Sequence, residues 1–260
     1  MHLREIVRSR ELLYFLVWRD VKIRNKQTLL GVAWAVLQPL ATMLVFTVFF
    51  GNLAKISTDD EAVPYAVFSY IALLPWTFFA AALTNAGNSL VTNTDLLTKV
   101  YFPRAILPAS TVLAGLVDLA IASVLLLPLL AFYGITPDAT ILVLPLAVGL
   151  LVLLALGLGM FLAALNVAYR DVKYALPFAV QLLLFVTPVI YPTTIIPEKF
   201  RYLMALNPLG GIIETCRAAV LPGRAIDWGQ FGVAAAVTAV VFAAGALYFH
   251  STERRFADIV

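Results

Sequence analysis

Charge is scarce in this chain, and the shortage decides its solvent. Only 13% of the 260 residues are charged while 62% are hydrophobic, where a soluble domain carries about 25% charged residues. A mean hydropathy of +0.93 leaves too few polar groups to clothe a surface facing water, so lipid is the main solvent. Cysteine occurs once, as Cys216 in a mostly apolar stretch, which excludes an internal disulfide and reads as a buried free thiol. Histidine occurs twice, His2 and His250, at the chain ends. No grouping of His, Cys, Asp or Glu has metal-ligand spacing, so the sequence defines no metal site. It contains no G-x-x-x-x-G-K-[ST] phosphate loop, which excludes ATP hydrolysis by this chain alone. A cleavable signal is also missing: the first 26 residues are charged throughout, and the first apolar run, 29–50, is too long for a signal core. Long soluble insertions, low-complexity linkers and internal repeats are absent, so an inverted-repeat transporter gains no support.

What the chain does have is apolar runs. Backbone polar groups in lipid must pair within the structure, which leaves helices or closed barrels. The runs are long and do not alternate in period two, which favours helices. Six spans are predicted, at 29–50, 65–87, 105–133, 141–165, 175–191 and 230–250. The third exceeds the roughly 20 residues needed to cross, so it tilts or projects. The fifth is short and ends at Pro188 and Pro192. The expected organisation is one membrane domain over 1–260: an interfacial segment 1–27, spans one to five within 28–190, an outer segment 191–229, the sixth span 230–250, and a tail 251–260.

Orientation follows from Lys and Arg. Thirteen lie in the N-terminal segment, the second and fourth loops and the tail. Five lie on the other side: Lys55, Lys199, Arg201, Arg217 and Arg224. The richer side, with both termini, is expected in the cytoplasm of a multi-pass inner-membrane protein.

Wound as a helix, residues 3–26 place Leu3, Ile6, Val7, Leu13, Tyr14, Val17 and Val21 on one side, with Arg10 and Arg24 breaking it. This is an imperfect amphipathic helix suited to the headgroup layer, with Trp18 at interface depth. Its cations either set topology alone or also attract a phosphate headgroup; Arg10, Arg19, Arg24 and Lys26 are the candidates. Asp118 is the one clear acid within an apolar run. A charge there costs several kcal/mol unless paired or hydrated, so it faces the protein interior or a wet cavity. Asp59, Asp60 and Glu61 read as a solvated turn. Small residues at Ala155, Gly159 and Ala163, beside Gly157, and at Ala235, Ala239 and Ala243 make faces for close helix packing.

The segment 191–229 is too long for a tight connection and too apolar for a free loop. Pro192, Pro197, Pro208 and Pro222 interrupt it, with Gly210 and Gly211 at its centre. It is expected to form two short helices and a turn, re-entrant on the outer face. Glu214 and Arg217, three apart, are expected to pair and to dip into an outer mouth. The gate candidates are Pro208, Gly210, Gly211, Glu214 and Arg217.

Four stretches, taken in order, resemble the membrane subunits of ABC-2 type exporters for O-antigen, capsule and teichoic acid. They are Trp18-Arg19-Asp20-Val21-Lys22-Ile23-Arg24 with Lys26 to Gly31, Trp34 and Gln38-Pro39-Leu40; Tyr101-Phe102-Pro103-Arg104 with Leu107-Pro108; Asn166-Val167-Ala168-Tyr169-Arg170-Asp171-Val172; and Thr187-Pro188-Val189-Ile190-Tyr191-Pro192 with Asn207-Pro208-Leu209. Asn25 departs from the tyrosine expected there. The resemblance covers nearly the whole chain. It implies the ABC-2 (type V) exporter fold, all-α and integral to the membrane. It also implies a homodimer of permeases with two copies of a separate ATPase, which would bind the ATP and Mg. The cargo it implies is an undecaprenyl-diphosphate-linked polysaccharide in a continuous channel; nucleic acid has no place in it. By the same resemblance, Asp95, Leu96, Leu97, Lys99, Phe102 and Arg104 would form the element an ATPase pushes, and Tyr169, Arg170 and Asp171 a second contact. Sugars stack on aromatic faces, so Trp34, Phe185 and Tyr191, with Gln38 and Asp118, are the channel candidates. Two other readings stay open: an ABC-2 permease for a drug or small lipid, and a membrane enzyme of lipid-linked glycan synthesis. The enzyme would need an acidic or histidine site near a membrane surface, and the chain offers none with suitable spacing.

Overall fold

The structure is a computed structural model, which describes residues 9–25, 31–56, 58, 63–99, 102–169 and 171–253. Among the described residues every regular element is a helix. We number the α-helices α1 Arg10–Asn25, α2 Trp34–Phe46, α3 Tyr65–Thr92, α4 Thr94–Lys99, α5 Ile106–Val124, α6 Leu126–Phe132, α7 Leu144–Ala168, α8 Val172–Val186, α9 Glu198–Ala205, α10 Pro208–Val220 and α11 Trp228–Glu253.

Five helical stretches are long and apolar enough to cross a membrane: Gly31–Leu53, Tyr65–Thr92, Ile106–Phe132, Ala139–Ala168 and Trp228–Glu253. They match the first four predicted spans and the last. The fifth differs: α8 has only 15 residues, roughly 22 Å of helix, against a hydrocarbon core of about 30 Å.

The third predicted span is one apolar stretch, Ile106–Phe132, whose helix is interrupted at a single residue. α5 and α6 meet at Leu125, just ahead of Pro128. Proline has no N–H for the carbonyl four residues back, here that of Val124, so the helix breaks. Nearby, Tyr70 donates its hydroxyl to the Ala122 carbonyl at 2.8 Å, tying this point of the span to α3.

α3 is the axis of the bundle; 20 of its 28 residues are buried. α7 packs along it through small residues. A Cβ on Gly159 would lie 2.6 Å from the Cβ of Ala86, so the two backbones approach as closely as glycine allows. Asn166 finishes this seam, donating to the Gly87 carbonyl and the Asn88 side chain at 3.0 Å each. α11 covers α7 by the same device: a Cβ on Gly157 would sit 2.6 Å from the Phe242 Cα, and one on Gly245 would strike the Gly157 carbonyl. The sequence pattern had marked Gly157 but placed the α11 face on alanines; the close approach is at Gly245.

α1 packs on α5, a contact that the reading of a headgroup-layer helix did not include. Leu16 is buried and Leu12 and Leu13 are partly buried, whereas Tyr14, Phe15, Trp18 and Ile23 are exposed. The helix carries two apolar strips, one against the protein and one outward, and a single-stripe reading merges them.

Candidate functional site

Three places gather the chemistry of this fold. The first is a cavity of about 210 Å³ between α1, α2, α3 and α5. It joins Arg24 from the end of α1, Trp34 and Gln38 from α2, Thr77 from α3 and Asp118 from α5. Gly31, at φ +50°, lets the chain turn into α2 beside it. Within the cavity Arg24 donates to the Asp118 carboxylate at 2.6 Å, with the two side chains 26% and 38% exposed. The mid-span acid therefore has a cationic partner, from outside the apolar runs. One turn earlier on α1, Asp20 accepts from Arg19 at 2.9 Å and from the Ser110 hydroxyl at 3.3 Å. Arg10 is exposed, and Lys26 lies outside the described residues. Of the three described headgroup candidates, Arg10, Arg19 and Arg24, the structure brings only Arg24 to the cavity.

The second place is the end of the bundle that carries α4. Asn93 stops α3 and starts α4: its N–H reaches the Leu90 carbonyl, and its own carbonyl accepts from Leu96 and Leu97 at 3.1 and 3.2 Å. Leu96 and Leu97 pack against a cluster of Leu16, Leu90, Phe102, Met160, Val167 and Phe249. Asp95 and Lys99 point outward, 94% and 74% exposed, and pair at 3.9 Å. Beyond Pro103, the Arg104 guanidinium donates to the Glu253 carbonyl at 2.5 Å, and its backbone N–H meets the Glu253 carboxylate at 3.3 Å. A cation on the last carbonyls of α11 is favourable, and it ties the α4 connection to the chain's last described turn. Tyr169 and Asp171 are exposed at this same end, between α7 and α8. Arg170 lies outside the described residues.

The third place, at the opposite end, is centred on α10. Its N-terminus is capped by Asn207, whose side-chain oxygen accepts from Leu209 and Gly210 at 3.1 and 3.4 Å. Arg217 is the largest fully buried side chain in the protein. It donates to the Pro188 and Val189 carbonyls at 2.8 Å each and to that of Phe68 at 3.4 Å. It also pairs with Glu214 and lies 3.6 Å over the Phe68 ring. Tyr65 donates to the next carbonyl, Ile190, at 2.5 Å. The bends after α8 thus have their freed carbonyls bound by α10 and α3.

This changes the reading of the outer segment. The two short helices and the Glu214–Arg217 pair are present, but Arg217 is clamped inside the fold and does not dip into a mouth. Gly210 and Gly211 serve packing: added Cβ atoms would lie 3.2 Å from Pro188 and 2.9 Å from Ala234. Pro208 is the first residue of α10, where its missing N–H has no intrahelical partner to lose. Among the channel candidates, Trp34 and Phe185 are exposed, and Tyr191 donates its hydroxyl to the Phe185 carbonyl at 2.9 Å. Tyr65, Phe68, Tyr70, Trp76, Phe78 and Phe79 are core. Two contacts between candidate residues and their partners escaped the sequence: Asp118 with Arg24, and Arg104 with Glu253. The first had a signal, since Arg24 interrupts an apolar stripe and Asp118 needs a partner. The second had none.

The fold is a helical membrane bundle with a charged cavity on one side and a braced connection helix at one end. The ABC-2 type transporter family matches residues 11–221, and the chain belongs to that family. It is 32% identical over 259 residues to an O-antigen export system permease protein RfbA of Myxococcus xanthus, covering 99% of this chain and 98% of that one. A Klebsiella pneumoniae protein of the same name is 26% identical over 251 residues, 96% of this chain and 95% of its own. The polysialic acid transport protein KpsM of Escherichia coli is 25% identical over 243 residues, 90% of this chain and 91% of its own.

Proposed function

We propose that this chain is the permease subunit of an ABC transporter that exports a lipid-linked, undecaprenyl-diphosphate-borne polysaccharide such as O-antigen across the bacterial inner membrane. The observation that carries the reading is end-to-end similarity, 99% of this chain against 98% of an O-antigen export permease. The working assembly is two copies of this chain with two ATPase subunits, which bind ATP and Mg. The ATPase engages α4 through its exposed Asp95 and Lys99, and Tyr169 to Asp171 add a second contact. Phe102 and Arg104 carry the push to α11.

In this reading the chain crosses six times. α8 makes the fifth crossing with the help of the unwound residues after it. Non-helical backbone at membrane depth survives only where protein satisfies it, and Arg217 and Tyr65 do so here. α9 and α10 then form the re-entrant outer segment. The thirteen-to-five basic bias supports the cytoplasm for both termini.

The test is genetic and biochemical together. Deleting the gene for this chain should abolish surface polysaccharide while lipid-linked polymer accumulates inside, and the purified chain should gain ATPase activity only with its partner subunit. Normal surface polysaccharide in the deletion strain would overturn the reading.

A further inference from the structure

The cavity between α1, α2, α3 and α5 is built around an anion held on Arg24, and the anion it holds is part of the protein. A guanidinium offers a planar fork of donors suited to carboxylate and phosphate alike. Asp118 occupies that fork at 2.6 Å, yet both side chains keep contact with the open space. The pair is thus neither sealed nor fully solvated, and a competing anion can reach it. Size limits what can enter: pockets for whole drug-sized ligands run to about 300–1,000 Å³, against about 210 Å³ here. A headgroup fits; a sugar chain has to lie elsewhere. The lining also supplies what the displaced carboxylate needs. Gln38 and Trp34, two lining residues on α2, carry an amide and an indole donor.

The pair also has a mechanical meaning. Among the described residues, two polar bonds hold α1 to α5: the Ser110 hydroxyl donates to Asp20 at 3.3 Å, and Arg24 donates to Asp118 at 2.6 Å. The second is shorter and lies at the end of α1. An anion that takes Arg24 from Asp118 removes the stronger tie.

We propose that Arg24–Asp118 is an exchangeable lock: a lipid-borne diphosphate entering the cavity replaces Asp118 on the Arg24 guanidinium and frees the end of α1 from α5. The proposal rests on the reading of this chain as an exporter of diphosphate-linked polymer. It makes Asp118 a competitor of the substrate, not a ligand for it, and gives the cargo headgroup a way to announce itself to the bundle.

The opposing predictions for the two partners test it. The full chain in phosphatidylcholine nanodiscs is titrated with radiolabelled farnesyl diphosphate. Asp118→Asn should bind more tightly than wild type, by up to about fivefold for a partly exposed pair, whereas Arg24→Gln should lose most binding. Equal or weaker binding by Asp118→Asn overturns the lock, as does wild-type binding by Arg24→Gln. Should either variant misfold, a second measurement keeps both residues native. Spin labels at Trp18→Cys and Val117→Cys, both exposed positions, on a Cys216→Ser background, should move apart when farnesyl diphosphate binds. An unchanged distance at saturation overturns the release of α1. Inorganic pyrophosphate should compete weakly, because the lipid chain contributes. Blockade of the site by phosphatidylglycerol nanodiscs alone would reassign it to bulk anionic lipid and overturn the diphosphate. None of these outcomes depends on polymer export, so a failed lock leaves the exporter reading standing, whereas a failed export assay with normal farnesyl diphosphate binding would remove the polymer as the source of the diphosphate.

Discussion

Arg217 shows what a single buried charge can do when its surroundings are built for it. Removing one member of a buried ion pair costs about 3–5 kcal/mol, because the remaining partner is left uncompensated. Here the loss would be compounded, since the Pro188 and Val189 carbonyls would also lose their donor. Arg217→Ala is therefore expected to lower the midpoint at which the purified protein loses its folded peak on heating in detergent. Arg217→Lys should fall between the two, as an ammonium keeps the pairing with Glu214 but lacks the planar fork. An unchanged midpoint in Arg217→Ala would remove the clamp role. The sequence made Arg217 visible as a helical partner of Glu214. Its deeper role depends on carbonyls 28 and 29 residues away, contacts that no local pattern reveals. Asp118 is the opposite case: an acid in an apolar run demands a partner by itself, and the structure only had to name Arg24.

At the scale of the element, hydropathy read the helices well because lipid forces both the run length and the helical conformation. It erred where side chains interfere with the backbone or where packing decides. Pro128 interrupts the third span between α5 and α6, and the bends after α8 leave that helix only 15 residues long. Two predictions belong here. Gly245→Ala places a methyl against the Gly157 carbonyl, and overpacking of this kind costs about 1–3 kcal/mol. It should lower the thermal midpoint, while Gly232→Ala, on the same helix with open space around it, should not. The second concerns α4. Leu96 and Leu97 pack on the cluster around Phe102 and Phe249, so charging them would disturb folding as well as coupling. Reversing Asp95 and Lys99 together leaves the cluster untouched. The Asp95→Lys, Lys99→Asp variant should keep its thermal midpoint yet lose partner-dependent ATPase stimulation. Full stimulation in that variant would place the contact elsewhere.

For the whole molecule, the fold already settles relative topology and leaves one question of sidedness. Leu16 of α1, Leu90 of α3, Phe102, Val167 of α7 and Phe249 of α11 meet in one cluster. The N-terminal helix, the α4 connection, the α7–α8 loop and the end of α11 therefore lie at the same end of the bundle, the four regions that charge counting had assigned to one side. Pairing also bears on that count. Arg217 sits among the five cations of the poorer side, but it is fully buried and paired with Glu214, and Arg224 approaches the same carboxylate at 3.7 Å. On the richer side Arg19, Arg24 and Lys99 are paired in the same way, with Asp20, Asp118 and Asp95, so pairing leaves the direction of the thirteen-to-five bias unchanged. On a Cys216→Ser background, an impermeant maleimide should label Ala225→Cys in intact cells and Asp95→Cys only after permeabilisation. The two positions are exposed and lie at opposite ends, so each controls for the other. Labelling of Asp95→Cys from outside would invert the whole bundle, taking the ATPase contact, the basic α1 and the Arg24 cavity with it. The exporter reading would then lose its cytoplasmic entry.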